Sequence, residues 1–322
     1  MRTGAFKGCR LCGHNCLVDR FAGQVGRCGA GQKIGLALGV VHHGEEPPLS
    51  GVYPGGGSGA IFFTRCNLAC AFCQNWQISQ TVGAGVEVEV DVLVEVMYQL
   101  AEAGVHNINL VSPTPHVAEI AKALERAKNR GFRLPIVYNT GGYDSLRALA
   151  IMEGLVDVYL PDIKIGQDPT LAPGEPDSVA MRLFGAGDYA FVNQQAVQEM
   201  HRQTGTLTLD GRGLAVRGLL VRHLVLPDNL ARTNLVLPWV AERLGTDSFV
   251  SLMAQYHPNH RLMRDDASEY RQFLGLTRPL SVREYDRSVD QAWELGLVNT
   301  FVQDLSAADN YRPDFSKPIV FN

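Results

Sequence analysis

With 322 residues, 46% of them hydrophobic and 19% charged, the chain is long enough for a large α/β domain with a small appendage, and its balance excludes a disordered or membrane class. A formal net charge of −4 gives nucleic acid and anionic lipid little long-range attraction. Met1 to Leu17 holds three Cys and a His where a signal peptide needs an apolar stretch, and no apolar run reaches transmembrane length, so a cytoplasmic protein with no membrane partner is expected.

Seven cysteines, an odd number, all fall within the first 73 residues. A reducing compartment disfavours disulfides, so metal binding is the better reading, and the seven divide as four plus three. Cys9, Cys12, Cys16 and Cys28 lie with His14 in a Gly-rich stretch that cannot bury a core unaided. Their uneven gaps suit either structural zinc or a second, fully ligated iron-sulfur cluster. Residues 1–58 therefore read as a Cys-rich metal-binding lobe, ending in the linker Pro54-Gly55-Gly56-Gly57-Ser58-Gly59. Residues 59–322 read as the catalytic domain with a C-terminal helical extension.

From there short apolar runs alternate with helical patterns. Ala60 to Thr64 is a strand, Asp91 to Ala103 a helix ending before Gly104, and Asn107 to Val111 the second strand. Helix His116 to Arg130, strand Leu134 to Tyr138, helix Tyr143 to Met152 and strand Val156 to Leu160 follow. Residues 161–188, rich in Gly, Pro and Asp, read as a long functional loop. A helix from Tyr189 to Thr204 precedes a hairpin of Thr206–Leu209 with Ala215–Val216, and the strand Leu219 to Leu226 comes next. Helix Leu230 to Leu244 contains Pro238, which predicts a break. Strand Phe249 to Met253, helix Ser281 to Leu295 and an edge strand at Asn299 to Gln303 complete the pattern.

Six strands alternating with helices imply parallel pairing, hence a partial (β/α)6 barrel or an open doubly wound sheet. Ligands then bind at the C-terminal ends of the strands, which singles out Cys66, Ser112, Asn139, Asp162 and His257. Side chains alternate along a strand, so only one of Arg222 and His223 faces the interior.

Cys66, Cys70 and Cys73 follow the first of these strands at a spacing that leaves a 4Fe-4S cubane one ligand short. Four thiolates close a cluster to everything but electrons, whereas three leave one iron open to a small molecule. The competing reading is a zinc site sharing a ligand from elsewhere, or three unrelated core thiols.

The C-x-x-x-C-x-x-C pattern, with the aromatic Phe72 before its last Cys, resembles the radical S-adenosylmethionine superfamily. Glu45-Glu46-Pro47-Pro48-Leu49-Ser50-Gly51, Cys73-Gln74-Asn75-Trp76, Tyr138-Asn139-Thr140-Gly141-Gly142-Tyr143, Leu160-Pro161-Asp162-Ile163-Lys164 and Val221-Arg222-His223-Leu224 resemble homologues of pyruvate formate-lyase activating enzyme. That resemblance implies a partial (β/α)6 radical-SAM barrel, a 4Fe-4S cluster and S-adenosylmethionine on its open iron. It also implies an electron from reduced ferredoxin or flavodoxin and a 5′-deoxyadenosyl radical that abstracts hydrogen from a substrate. A glycyl radical enzyme is one candidate partner.

Carried over residue by residue, Asp162 and Lys164 match the family's D-x-K motif, in which the lysine pairs with the methionine carboxylate and the aspartate helps to hold a monovalent cation. Asn139 stands where the activating enzymes carry an aspartate. His257 matches a histidine that contacts S-adenosylmethionine, and Arg222 a conserved-position arginine of the activating enzymes. Val111-Ser112-Pro113-Thr114-Pro115 replaces the Gly-Gly-Glu stretch that meets the methionine ammonium, with Ser112 and Thr114 hydroxyls as extra acceptors. A non-catalytic zinc-knuckle protein for nucleic acid or a protein partner is the alternative. A mononuclear metal hydrolase needs more His and carboxylate ligands than Asp162 and His257 supply.

Overall fold

The computed structural model describes residues 5–52, 55–264, 267–310, 312–317 and 319–321; Met1 and Pro54, which enter the readings of the N-terminus and the linker, lie outside them. In chain order the elements are β1 (Ile34–His42), α1 (Pro47–Ser50), β2 (Ser58–Phe63), α2 (Trp76–Ser79), β3 (Val86–Val88), α3 (Val90–Glu102), β4 (Ile108–Val111), α4 (Val117–Asn129), β5 (Ile136–Thr140) and α5 (Leu146–Met152). They continue with β6 (Val158–Pro161), α6 (Ser178–Phe184), α7 (Tyr189–Thr204), β7 (Thr208–Leu209), β8 (Ala215–Leu224), α8 (Thr233–Arg243), β9 (Phe249–Met253), α9 (Val282–Glu294), β10 (Thr300–Val302) and α10 (Ala307–Asn310).

The described strands form one sheet in the order β10-β9-β8-β6-β5-β4-β2-β1-β3, with β7 on β8. Every pair from β2 through β10 along that path is parallel, and only β1, β3 and β7 pair antiparallel. The fold is thus α/β with a mostly parallel central sheet, as the alternation of elements predicts, and the edge strand at Thr300–Val302 extends the parallel run.

Strand periodicity divides the core into two. Ile61, Phe63, Ile108, Leu110, Tyr138, Tyr159, Val221 and Leu252 point outward into one apolar cluster shared with α3, α4, α5, α7, α8 and α9. Their alternates point the other way, Ala60, Phe62 and Val111 into one small inner cluster and Val137, Val158, Leu160 and Leu220 into another. Arg222, two residues after Leu220, therefore faces inward, while His223 is fully buried on the helical side.

Several local features differ from the expected elements. A nine-residue strand, β1, lies inside the Cys-rich N-terminal region and pairs with β2 and β3. Gly35 within it is obligatory, because a Cβ there would sit 2.0 Å from Thr64 Oγ1. The segment 161–188 carries a helix, α6, capped by the Asp177 carboxylate. The expected hairpin and the following strand are one continuous β8. Pro238 does not break α8: it lacks the N–H that would reach Asn234 O, and Gln291 Nε2 donates to that carbonyl at 3.3 Å instead. No helix among the described residues is long and apolar enough to cross a membrane.

Candidate functional site

A cavity of about 600 Å³ opens at the C-terminal ends of the parallel strands, where Phe62, Val111, Asn139, Arg222, Ser251 and Phe301 of six strands line it together. Cys66, Cys70 and Cys73 form part of its wall. Their loop leaves β2 through Arg65 in a left-handed conformation and is held mainly by its backbone. Ala69 N and Ala71 N donate to Phe184 O and Leu183 O at 2.8 Å each, so the C-terminal turn of α6 is the shelf on which the loop rests. Gln80 Nε2 donates to Cys70 O at 3.0 Å, and Asn67 Nδ2 to Tyr143 O at 2.9 Å. Phe72 is buried edge-on between Phe184 and Tyr256 and lines the cavity beside the thiols.

Burial pushes the Cys66 and Cys70 thiols up to about 12, and the nearby Lys164 ammonium pulls both back. Thiolates form in such surroundings when a metal takes the proton's place. Among the described residues no three His, Cys, Asp or Glu side chains are gathered tightly enough to hold a single metal ion. Three thiols on one cavity wall, with a cation facing two of them, fit a 4Fe-4S cubane.

Opposite the thiols stand the ends of β5 and β6. Asn139, Thr140, Gly141, Asp162 and Lys164 all line the cavity. Lys164 Nζ donates to Asp162 Oδ2 at 2.5 Å. Burial disfavours the ammonium, but the Asp162 charge outweighs it and the Lys164 pKa is raised. The lysine thus remains cationic and has further N–H donors for a ligand.

These two strand ends are positioned by α7, a role that sequence patterns did not reveal. The Tyr189 hydroxyl lies 2.8 Å from Gly141 O and 3.0 Å from Asp162 O, and it accepts from Lys164 N at 3.1 Å. Asn193 Nδ2 donates to Gly142 O at 3.0 Å and to Asp162 O at 2.8 Å. Gly142 has φ +73°, and a Cβ there would lie 2.2 Å from Asn193 Nδ2. Tyr189 and Asn193 sit at i and i+4 on one helix face, the one signal that they act together.

Ser112 lines the cavity with φ +60°, its N–H donating to Asn139 O at 2.9 Å. Thr114 is buried behind it, its hydroxyl donating to Asp144 Oδ1 at 2.8 Å beside Thr140 Oγ1 at 3.2 Å. Asp144 also accepts from Thr140 Oγ1 at 2.6 Å and Tyr138 OH at 2.8 Å, so one carboxylate gathers three hydroxyls behind the strand ends; its burial raises its pKa. His257, buried, lines the cavity after β9.

Arg222 enters the cavity floor and is engaged by carboxylates of the N-terminal region. Its Nε and Nη2 donate to Glu46 Oε1 and Oε2 at 2.6 and 2.5 Å, and Nη2 also pairs with Glu45. Burial works against the Glu45 charge, but Arg222 and His42 hold its carboxyl down at about 2.

The four N-terminal cysteines pack against the same end of the sheet. Arg20 Nη2 donates to Cys9 Sγ at 3.3 Å and Cys28 Sγ at 3.6 Å, and Arg27 N to Cys16 Sγ at 3.4 Å. Burial lifts the Cys12 thiol to about 12, and Cys28, Cys16 and Cys9 each add to the rise, so the four share one neighbourhood. His14, from the same segment, donates its Nε2 proton to Asn67 O at 2.8 Å, inside the three-cysteine loop.

Residues 60–200 match the family described as Radical SAM superfamily. Members of that superfamily use S-adenosylmethionine and typically a 4Fe-4S cluster, which suits the donor set above. The chain is 28% identical over 301 residues to an uncharacterized protein of Methanocaldococcus jannaschii, MJ0674, covering 91% of this chain and 76% of that one. Among solved structures, Streptococcus suis SuiB bound to the precursor peptide SuiA aligns with TM-score 0.47 and 10% identity over 76% of this chain and 48% of the other. The FeFe-hydrogenase maturase HydG of Carboxydothermus hydrogenoformans aligns with TM-score 0.46 and 13% identity over 76% and 53%. The radical S-adenosylmethionine methyltransferase TsrM of Kitasatospora setae aligns with TM-score 0.45 and 15% identity over 81% and 54%. The chain spans about half the length of each of these three structures.

Proposed function

We propose that the chain is a radical S-adenosylmethionine enzyme whose Cys66, Cys70 and Cys73 hold a 4Fe-4S cluster with one iron left for S-adenosylmethionine. The observation that carries this reading is the cavity itself: three thiols after the first parallel strand share one lining with Lys164, Asn139 and His257 from three other strand ends, around about 600 Å³. When bound, the cluster and S-adenosylmethionine supply reductive cleavage of a sulfonium and a carbon radical that removes hydrogen from a substrate.

The chain's own residues bind, orient and exclude. Lys164 offers its remaining ammonium N–H groups to a carboxylate, and its partner Asp162 holds it at the strand end. The left-handed turn at Ser112 and the Asn139 amide face the cavity as polar contacts for an amino group or sugar, with His257 on the opposite wall. Thr114 acts from behind, through Asp144, and Arg222 positions the Glu45-Glu46 wall. Phe72 and Tyr256 keep water from the thiols.

In this reading the protein is cytoplasmic and takes its electron from reduced ferredoxin or flavodoxin. Of the two metals that suit the four N-terminal cysteines, zinc or iron-sulfur, this reading takes an iron-sulfur cluster, since among the described residues no three such donors are gathered for a single ion; His14 ties that segment to the three-cysteine loop. The narrower reading, an activating enzyme for a glycyl radical enzyme, draws on the motifs Leu160–Lys164 and Tyr138–Tyr143.

The test is anaerobic reconstitution followed by iron and sulfide analysis and electron paramagnetic resonance of the reduced protein. An open iron predicts a signal that changes when S-adenosylmethionine is added. A full cluster whose signal ignores S-adenosylmethionine overturns the proposal.

A further inference from the structure

Besides the strand ends, residues of the segments 312–317 and 319–321 line the cavity or pack on its lining. Pro313 and Phe321 belong to the cavity lining. Phe315 and Phe321 each stack on Phe62 with ring centroids 5.5 Å away, and Phe321 also meets His42 at 4.4 Å. Gln77 of α2, just beyond the three-cysteine loop, reads the backbone and side chain together. Its Nε2 donates to Asp314 Oδ1 at 3.1 Å, and its Oε1 accepts from Phe315 N at 2.9 Å. Asp314 N donates to Val320 O at 3.0 Å, which returns the second phenylalanine to the same seat.

We propose that Phe62, His42 and Gln77 form a peptide-binding subsite at the cavity mouth, which the chain's own turn occupies at rest and a polypeptide bearing an acidic-aromatic pair displaces. Two requirements select that class. Phe62 is only 5% exposed, and removing both rings from it returns apolar surface to water, so a competitor must bring a ring of its own. Gln77 needs an acceptor for its amide hydrogens and a donor for its oxygen, at the spacing of a carboxylate and the next backbone N–H. A small polar molecule meets the second condition but not the first; an Asp-Phe segment meets both, as Asp314 and Phe315 do.

Because the built-in copy is tethered, its effective concentration is on the order of millimolar, and a free peptide must compete against it. The inference rests on the proposed radical chemistry only for its consequence, a polypeptide substrate; peptide binding is read without turnover.

The probe is a fluorescent peptide with the sequence of residues 312–321, added to the full, anaerobically reconstituted chain and followed by anisotropy. F315A/F321A frees the seat and should bind the probe at least about tenfold more tightly than the unaltered chain, as expected from removing a millimolar competitor. Adding Q77A should remove most of that gain, and a probe with Asn-Ala in place of Asp-Phe should bind neither form. Equal affinity for the unaltered chain and F315A/F321A, or binding indifferent to Q77A, overturns the proposal. Should F315A/F321A fail to fold, hydrogen exchange of residues 312–321 in the unaltered chain decides. Faster exchange with excess probe supports displacement, and unchanged exchange overturns it. Neither readout depends on S-adenosylmethionine, so a chain without an open iron and a chain without a peptide seat give different results.

Discussion

Arg222 grips Glu46 through two parallel hydrogen bonds, Nε to Oε1 at 2.6 Å and Nη2 to Oε2 at 2.5 Å, with side-chain exposures of only 14% and 5%. This pair joins strand β8 to the segment that follows β1, and so ties the N-terminal region to the sheet. Breaking a buried pair by removing one partner strands the other charge, at about 3–5 kcal/mol. R222A, which strands both Glu45 and Glu46, should lower the unfolding free energy by that order in denaturant titrations, and E46A, which leaves Arg222 paired with Glu45, should lower it less. R222M/E46L should lose less than R222A, because it leaves one carboxylate without its arginine, Glu45, instead of two; a double variant less stable than R222A would contradict this.

The α7 clamp is tested by Y189F. It deletes the hydroxyl shared by Gly141 O, Asp162 O and Lys164 N, leaving buried carbonyls with fewer donors at about 1–3 kcal/mol. Chemical denaturation should register that loss, and equilibrium dialysis of the reconstituted protein should register weaker S-adenosylmethionine binding. G142A should be the more damaging change, since its Cβ meets both Asn193 Nδ2 and Asp162 O at under 3 Å and its φ is +73°.

Lys164 is the cavity cation whose charge is felt by both the Cys66 and Cys70 thiols, and K164M removes it while keeping most of its apolar stem. A charge-assisted hydrogen bond contributes about 1.5–3 kcal/mol, so S-adenosylmethionine affinity should fall by at least about tenfold with iron content unchanged. An unaltered affinity would remove Lys164 from the cofactor site.

Acid sensitivity should trace in part to His223. Its Nδ1 proton is donated to Ile163 O at 2.6 Å, its Nε2 accepts from Thr233 Oγ1 at 2.9 Å, and burial lowers its pKa to about 4. The unfolded chain takes up a proton near the ordinary value of about 6.5, which the folded chain refuses until pH falls to about 4. Its contribution is therefore complete above about pH 6.5 and is lost as pH falls towards 4. Between about pH 7 and about pH 5 the unaltered chain should lose roughly 2 kcal/mol more than H223N, measured by urea unfolding at both values. Equal losses would show that His223 is not the group responsible.

Much of the sheet was legible because two periods do different things. Alternation predicted that Arg222 and His223 part company, and they do: one reaches the cavity and the other is sealed under α8. The strand-end rule likewise selected Ser112, Asn139, Asp162 and His257, which all line one cavity. Helix α6 escaped because seven residues between Gly- and Pro-rich flanks carry too little periodicity, although Asp177 two residues before Val179 is an N-cap signal. Strand β1 escaped because Gly35 and Gly39 interrupt its pattern, and those glycines are there for close packing. Tyr189, Asn193 and Asp144 act through backbone carbonyls and hydroxyls far away in sequence, and no local spacing records such partners. The acceptor role expected of Thr114 depended on its facing the cavity; its hydroxyl is used by Asp144 instead.

The central claim is most directly tested by the products of one reaction. The anaerobically reconstituted chain, expected in this reading to hold about four irons at Cys66, Cys70 and Cys73, is incubated with dithionite and S-adenosylmethionine and its small molecules are separated by chromatography. 5′-Deoxyadenosine and methionine should form, and both should vanish in C70A together with the iron. A cluster-loaded chain that yields no 5′-deoxyadenosine would contradict the account.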